Sequence, residues 1–137
     1  MKVIKAALVT GGATGIGKAC ALSFLEGGYA VAIVGRRKEK IEETEKELAD
    51  IFGNEKVLAI AADVSSREDV EKIFASIDEK YGRIDVVINN AGVAPSHPFL
   101  ETSYEEYDKA IKINQYGTFM CMQKGAKMMV EKGISGV

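Results

Sequence analysis

Glycines at 11, 15 and 17, within the run Thr10-Gly-Gly-Ala-Thr-Gly-Ile-Gly17, follow an aliphatic stretch and precede a helical one. Their spacing is G-x-x-x-G-x-G. At a strand-to-helix junction glycines let the backbone turn tightly, let a pyrophosphate approach the main chain, and let helix and strand pack closely. The dipole at a helix N-terminus is worth roughly 0.3 to 2 kcal/mol to an anion before any backbone hydrogen bond is counted. A helix entry that only needs flexible backbone is the plain alternative.

Further polar residues end the other apolar runs: Arg36 and Arg37 the second, Asp63-Val64 the third, and Asn89-Asn-Ala-Gly92 the fourth. Asp63, Asn89 and Asn90 all suit turns. Ala91 and Gly92, however, have no side chain to block a ligand. A guanidinium can hold a phosphate bidentately, although arginines at a helix start also serve plain solvation. His97, in Pro95-Ser-His-Pro98, is the single histidine. It is expected over the mouth of the crevice as a solvated loop residue or a substrate contact.

Strands and helices in alternation must position these groups. The apolar runs predict strands over Val3 to Thr10, Tyr29 to Val34, Lys56 to Ala62 and Ile84 to Asn89, each buried on both faces. Val70, Ile73, Phe74, Ile77 and Tyr81 form a helical stripe. Ser65 with Glu68 is expected to cap that helix, and Ser103 with Glu106 the last one. A helix over about Lys38 to Phe52 should turn Ile41, Leu48, Ile51 and Phe52 inward. In the last helix Asn114 shares the core-facing side with Tyr107 and Ile111, so its amide must find partners. The end, Lys132-Gly-Ile-Ser-Gly-Val137, reads as a helix stop before the first residue of a fifth strand.

With 137 residues, 47% of them hydrophobic and two prolines, the chain is globular and of single-domain size. A net charge of −2, without a basic, aromatic-interleaved stretch, argues against nucleic acid. Cys20 and Cys121 lie far apart with no CxxC, so neither a disulfide framework nor a metal site is expected. No apolar run approaches a membrane span, and a cytoplasmic location is expected.

TGGATGIG after the first strand, Asp63-Val64 after the third, Asn-Asn-Ala-Gly after the fourth, and Asn114 within Lys112-Ile-Asn-Gln-Tyr-Gly-Thr-Phe119 resemble, in that order, the short-chain dehydrogenase/reductase family. Within it the 3-oxoacyl-ACP and acetoin reductases are similar. The resemblance implies an α/β fold, a Rossmann-type doubly wound parallel sheet of strand order 3-2-1-4, truncated before strand 5. Residues 1–137 would then be one partial NADP-binding domain, with strand 4 left as an open edge.

By this resemblance Gly11, Thr14, Gly15, Ile16 and Gly17 wrap the pyrophosphate, Asp63 and Val64 recognise adenine, and Asn90, Ala91 and Gly92 line the crevice near the ribose. Asn114 would be the one member of the catalytic tetrad present. A preference for NAD needs a carboxylate about 20 residues beyond the loop, where Gly35 stands. Arg36 and Arg37 follow instead, so NADP(H) is expected over NAD(H), with Arg36 the first choice for the 2′-phosphate.

The family's hydride transfer uses a serine and a Tyr-x-x-x-Lys pair. Four residues after Tyr29, Tyr81, Tyr104, Tyr107 and Tyr116 stand Ile33, Asp85, Asp108, Ile111 and Met120, and none is lysine. The chain alone is therefore expected to be inactive, the complete enzyme acting on a small carbonyl or alcohol. The alternative is an inactive dinucleotide-binding module, alone or with a complementary chain. Met120, Met122, Met128 and Met129 fit either core packing or, as in the family, a subunit interface, and a homo-oligomer is expected.

Overall fold

Short aliphatic runs without a polar interruption form the centre of the molecule. In the computed structural model, which describes residues 2–137, they become β1 (Ala6–Thr10), β2 (Ala30–Gly35), β3 (Val57–Ala61) and β4 (Val86–Ile88). All pairings are parallel, in the order β3-β2-β1-β4. Strand order and class are thus as expected, but β1 starts at Ala6 and not at Val3, which is exposed.

Helices α1 (Gly15–Glu26) and α2 (Lys38–Phe52) cover one face of the sheet. Ala7, Val9, Val31 and Ile33 meet Ala21, Leu25, Ile41 and Leu48 there. Helices α3 (Arg67–Tyr81) and α5 (Thr118–Glu131) cover the other, where Leu8, Ala32 and Val34 meet Ile73, Ile77 and Cys121. The strand period of two sends alternate residues of β1 and β2 into these two cores. β1 is buried throughout and β2 up to Val34, whereas β3 and β4, lying outside them, keep half-buried positions at Leu58 and Val87 within the strand. Burial on both faces therefore holds for the inner pair only.

Sequence expectation and structure part at several helix positions. α2 has the expected bounds, but Ile51 is 70% exposed, since only the sheet-facing stripe through Ile41 and Leu48 finds cover. α3 is capped by Ser66, not Ser65: Ser66 Oγ accepts from the Asp69 amide at 3.2 Å. Ser65 is engaged elsewhere, its hydroxyl and amide donating to Asp63 Oδ1 at 2.7 and 2.9 Å. The helix accordingly starts one residue later. The expected box at Ser103 and Glu106 is present and opens α4 (Tyr104–Ile111).

The last helix is not continuous. A π-helical stretch over Lys112–Gly117 separates α4 from α5. A wider turn rotates the residues on it relative to a 3.6-residue reading, and such turns recur at functional sites. Gly117 allows the approach there, because a Cβ would lie 2.7 Å from Val64 Cγ2. Beyond α5, Val137 donates from its amide to Asp85 O at 3.0 Å and accepts from Val87 N at 2.9 Å. The edge of β4 expected to be open is therefore engaged at this residue by the first rung of a further parallel pairing.

Candidate functional site

Chain reversal between β1 and β4 opens a crevice at the carboxyl ends of the strands, where ligands of open parallel sheets bind. The crevice has a volume of about 360 Å³ and takes residues from all four strand ends.

Its floor is the glycine turn. Gly11 has φ +64°, a left-handed conformation that glycine adopts without penalty. Gly17 sits beneath it, so close that a Cβ would lie 2.0 Å from Gly11 O. At Gly15 a Cβ would meet nothing within 4 Å, which leaves the backbone open to an approaching group. Thr14 is the N-cap of α1 in extended conformation and makes no side-chain capping bond, so the helix entrance retains free N–H capacity. Turn, open approach and close packing are the three features a pyrophosphate cradle needs. Gly11 and Thr14 line the crevice; Gly15, Ile16 and Gly17 continue the turn outside its walls, with Ile16 exposed.

Arg36 and Arg37 lie exposed beyond β2 and line the same crevice, beside Gly35. Asp63 and Val64 approach from the end of β3. Burial pushes the Asp63 carboxyl up, but hydrogen bonds from Ser65, with the charges of Arg36 and Lys109, outweigh it and hold the group below the usual carboxylate range. Asp63 shapes the turn through Oδ1, as the plainer expectation had it, and also lines the cleft.

Ala91 and Gly92 form the wall beyond β4. Asn90 stands behind them and donates from Nδ2 to Gly11 O at 3.2 Å. Thr10, which sequence reasoning passed over, holds this wall: its Oγ1 accepts from the amides of Asn90 and Ala91, both at 3.0 Å, and donates to Ile88 O at 3.4 Å. A hydroxyl ending a run that must be buried was the available sign, since a buried polar group requires partners. Its partners lie 80 residues away.

Asn114 does not face the core. It is exposed, as is Tyr107, because the side of α4 and the π turn that finds cover runs through Ile113 and Gly117 and not through these two residues. Its amide is nevertheless satisfied: Oδ1 accepts from Val93 N at 2.8 Å and Nδ2 donates to Val93 O at 2.7 Å. Val93, whose backbone Asn114 holds, lines the crevice, as does Ile113. His97 is exposed, as expected for a solvated residue, and pairs with Glu106 at 2.7 Å. The methionines divide between the two readings, with Met128 buried, Met120 and Met129 half-buried against the core, and Met122 exposed. Among the described residues no helix is long and apolar enough to cross a membrane, and no cluster of three metal-ligating side chains occurs.

A family model described as short chain dehydrogenase matches residues 5–137. The chain is similar to the 3-oxoacyl-(acyl-carrier-protein) reductase FabG of Staphylococcus aureus, 34% identical over 137 residues that cover 96% of this chain and 53% of that one. Among solved structures it resembles a short chain dehydrogenase from Bacillus anthracis, with TM-score 0.89 and 40% identity over 96% of this chain and 54% of that one. A variant of ElxO with NADPH bound gives TM-score 0.85 and 37% identity, covering 96% of this chain and 52% of that one. The chain spans about half the length of each of these relatives.

Proposed function

The chain belongs to the short chain dehydrogenase family, and from that premise we propose that it is the cofactor-binding portion of an NADP(H)-dependent oxidoreductase that interconverts a small carbonyl and an alcohol. One observation carries the reading: Arg36, Arg37, Asp63 and Val64 line a single crevice together with Gly11 and Thr14 of the glycine turn. The bound nicotinamide dinucleotide supplies or accepts the hydride.

The chain's own residues bind and orient. In this reading the backbone of Gly11, Gly15 and Gly17 and the start of α1, with Thr14 and Ile16, hold the pyrophosphate. Arg36, helped by Arg37, takes the 2′-phosphate, where a carboxylate would repel it. Asp63 and Val64 recognise the adenine, and Ala91 and Gly92, backed by Asn90, form the ribose wall. Asn114 is a positioning residue that fixes Val93 beside the crevice. The ElxO structure with NADPH bound supports the cofactor assignment by similarity.

A second reading rests on the tyrosines. None of the five is followed by lysine at the fourth position, so these 137 residues contain no Tyr-x-x-x-Lys pair to deliver a proton to a developing alkoxide. The chain would then bind dinucleotide without turning over substrate, alone or with a complementary chain. Titrating it with NADPH and NADH, then adding aldehydes and ketones while following NADPH absorbance, tests both. We expect tighter binding of NADPH and no carbonyl-dependent oxidation. Steady oxidation would remove the second reading, and failure to bind either cofactor would remove both.

We also propose self-association, supported by Tyr116, Phe119, Met122 and Val130, which stand exposed along the π turn and α5. Sedimentation velocity over a concentration series tests it, and a single monomeric species throughout would overturn it.

A further inference from the structure

β3 forms the edge of the sheet opposite β4, and a free edge presents backbone groups on which another strand can pair. Its residues alternate in direction. Ala62 donates to Gly35 O of β2 at 3.0 Å, so Val57, Ala59, Ala61 and Asp63 turn their backbone groups outward, away from the sheet. Each of these four gives one outward group to a side chain. Lys80 Nζ donates to Val57 O at 2.6 Å, and Glu45 Oε1 accepts from Ala59 N at 2.8 Å. Lys72 Nζ donates to Ala61 O at 3.3 Å, and Asp69 Oδ2 accepts from Asp63 N at 2.7 Å. Ammonium groups meet the carbonyls and carboxylates meet the amides, so every bond is charge-assisted.

Helix geometry sets the spacing. α3 runs back along β3, and one helical turn rises about 5.4 Å against about 6.6 Å for two strand residues. Asp69, Lys72 and Lys80 share one face of α3, at i, i+3 and i+11, and meet positions 63, 61 and 57 in descending order. The residue at i+7 is Ser76, whose hydroxyl donates to Lys72 O at 2.8 Å instead, and α2 supplies Glu45 opposite Ala59.

We propose that Glu45, Asp69, Lys72 and Lys80 close the β3 edge against a strand from a second copy of this chain, and so direct any extension of the sheet to β4. There the backbone of Asp85 and Val87 already pairs with Val137, at 3.0 and 2.9 Å. An incoming strand at β3 has to displace four charge-assisted bonds and crowd the released charges beside its own backbone. This role is independent of any bound cofactor.

In the 137-residue chain, Glu45→Ala, Lys72→Ala and Lys80→Ala together uncap the edge; Asp69 is kept because it also holds the Asp63 backbone beside the crevice. Thioflavin T fluorescence over a concentration series reports stacked strands, which association through helix faces does not produce. The uncapped chain should begin to assemble at a concentration about tenfold or more below the parent, the worth of one or two edge hydrogen bonds. Ile77→Val, a core change that lowers stability with the caps intact, should shift the onset far less. Adding Ala61→Pro to the uncapped chain should restore the parental onset, since Ala61 N points outward and proline is tolerated on an edge strand. An onset equal in the uncapped chain and Ile77→Val, or unrelieved by Ala61→Pro, would overturn the proposal. If the triple variant does not fold, Glu45→Ala against Glu45→Gln decides, because the glutamine oxygen still accepts from Ala59. Only Glu45→Ala should quicken exchange of the Ala59 amide and lower the onset, and equal behaviour of the two overturns the role of the caps.

Discussion

Gly17 lies beneath Gly11 at a separation no side chain fits: a Cβ on Gly17 would stand 2.0 Å from the Gly11 carbonyl oxygen and 2.6 Å from Asn90 Nδ2. Helix α1 is thereby locked against the turn ending β1. Asn90 Nδ2 also donates to Gly11 O, so one carbonyl is the meeting point of α1, β1 and the wall beyond β4.

Gly17→Ala must push the loop and α1 apart, at a cost of about 1 to 3 kcal/mol for overpacking. A loop displaced in this way should bind dinucleotide at least about tenfold more weakly, since a misplaced phosphate contact of about 1.4 kcal/mol is tenfold in affinity. Gly28→Ala is the control: φ is +87° and nothing lies within 4 Å, so strain of about 1 to 2 kcal/mol should appear without loss of affinity. Urea denaturation and fluorescence titration with NADPH separate the two effects. Equal affinity losses in both variants would mean that Gly17 acts through stability alone.

Arg36 stands exposed and lines the same crevice as Asp63. A charge-assisted bond to a 2′-phosphate is worth roughly 1.5 to 3 kcal/mol. Arg36→Ala should therefore weaken NADPH by about one to two orders of magnitude and leave NADH little changed. Calorimetric titration with both nucleotides checks this. Parallel losses for the two would remove Arg36 from the 2′-phosphate site.

Asp85 is buried immediately before β4 and ties that strand to the start of β1. Its Oδ2 accepts from the Ala6 amide at 2.8 Å and from Arg83 Nε at 2.8 Å, and Oδ1 from Arg83 Nη2 at 2.6 Å. The Arg83 hydrogen bonds hold the carboxyl below its usual range against the opposing effect of burial. A carboxylate with a lowered folded-state pKa stabilises the fold above its unfolded value of about 3.9, and that stabilisation is lost as pH falls through the folded value. Asp85→Asn should thus cost about 1.5 to 3 kcal/mol near neutrality, the worth of hydrogen bonds to a charged group. The difference from the parent chain should shrink between pH 5 and 2. Urea denaturation at pH 7, 5 and 3 reads it; a difference that does not narrow at pH 3 would show that the ionised carboxyl is not the source.

Local pattern determined much of this protein. The alternation of strands with helices, the bounds of α2, the box at Ser103 and Glu106, and the glycine turn follow from periods of 2 and 3.6 and from residues whose chemistry acts within a few positions, while strand order 3-2-1-4 followed from the family resemblance. Such signals are short-range and survive whatever packs against them. Tertiary structure decided the rest, because the deciding partners are distant in sequence. Thr10 became the hinge of the site through amides at 90 and 91. Ser65 lost the cap of α3 to Ser66 because Asp63 had engaged its hydroxyl. The π turn packs on the core through Ile113 and Gly117, the latter against Val64, which left the face of Tyr107 and Asn114 uncovered and the Asn114 amide paired with the Val93 backbone. A periodic reading tells which residues share a face, and only the packing of one element on another decides which face is covered.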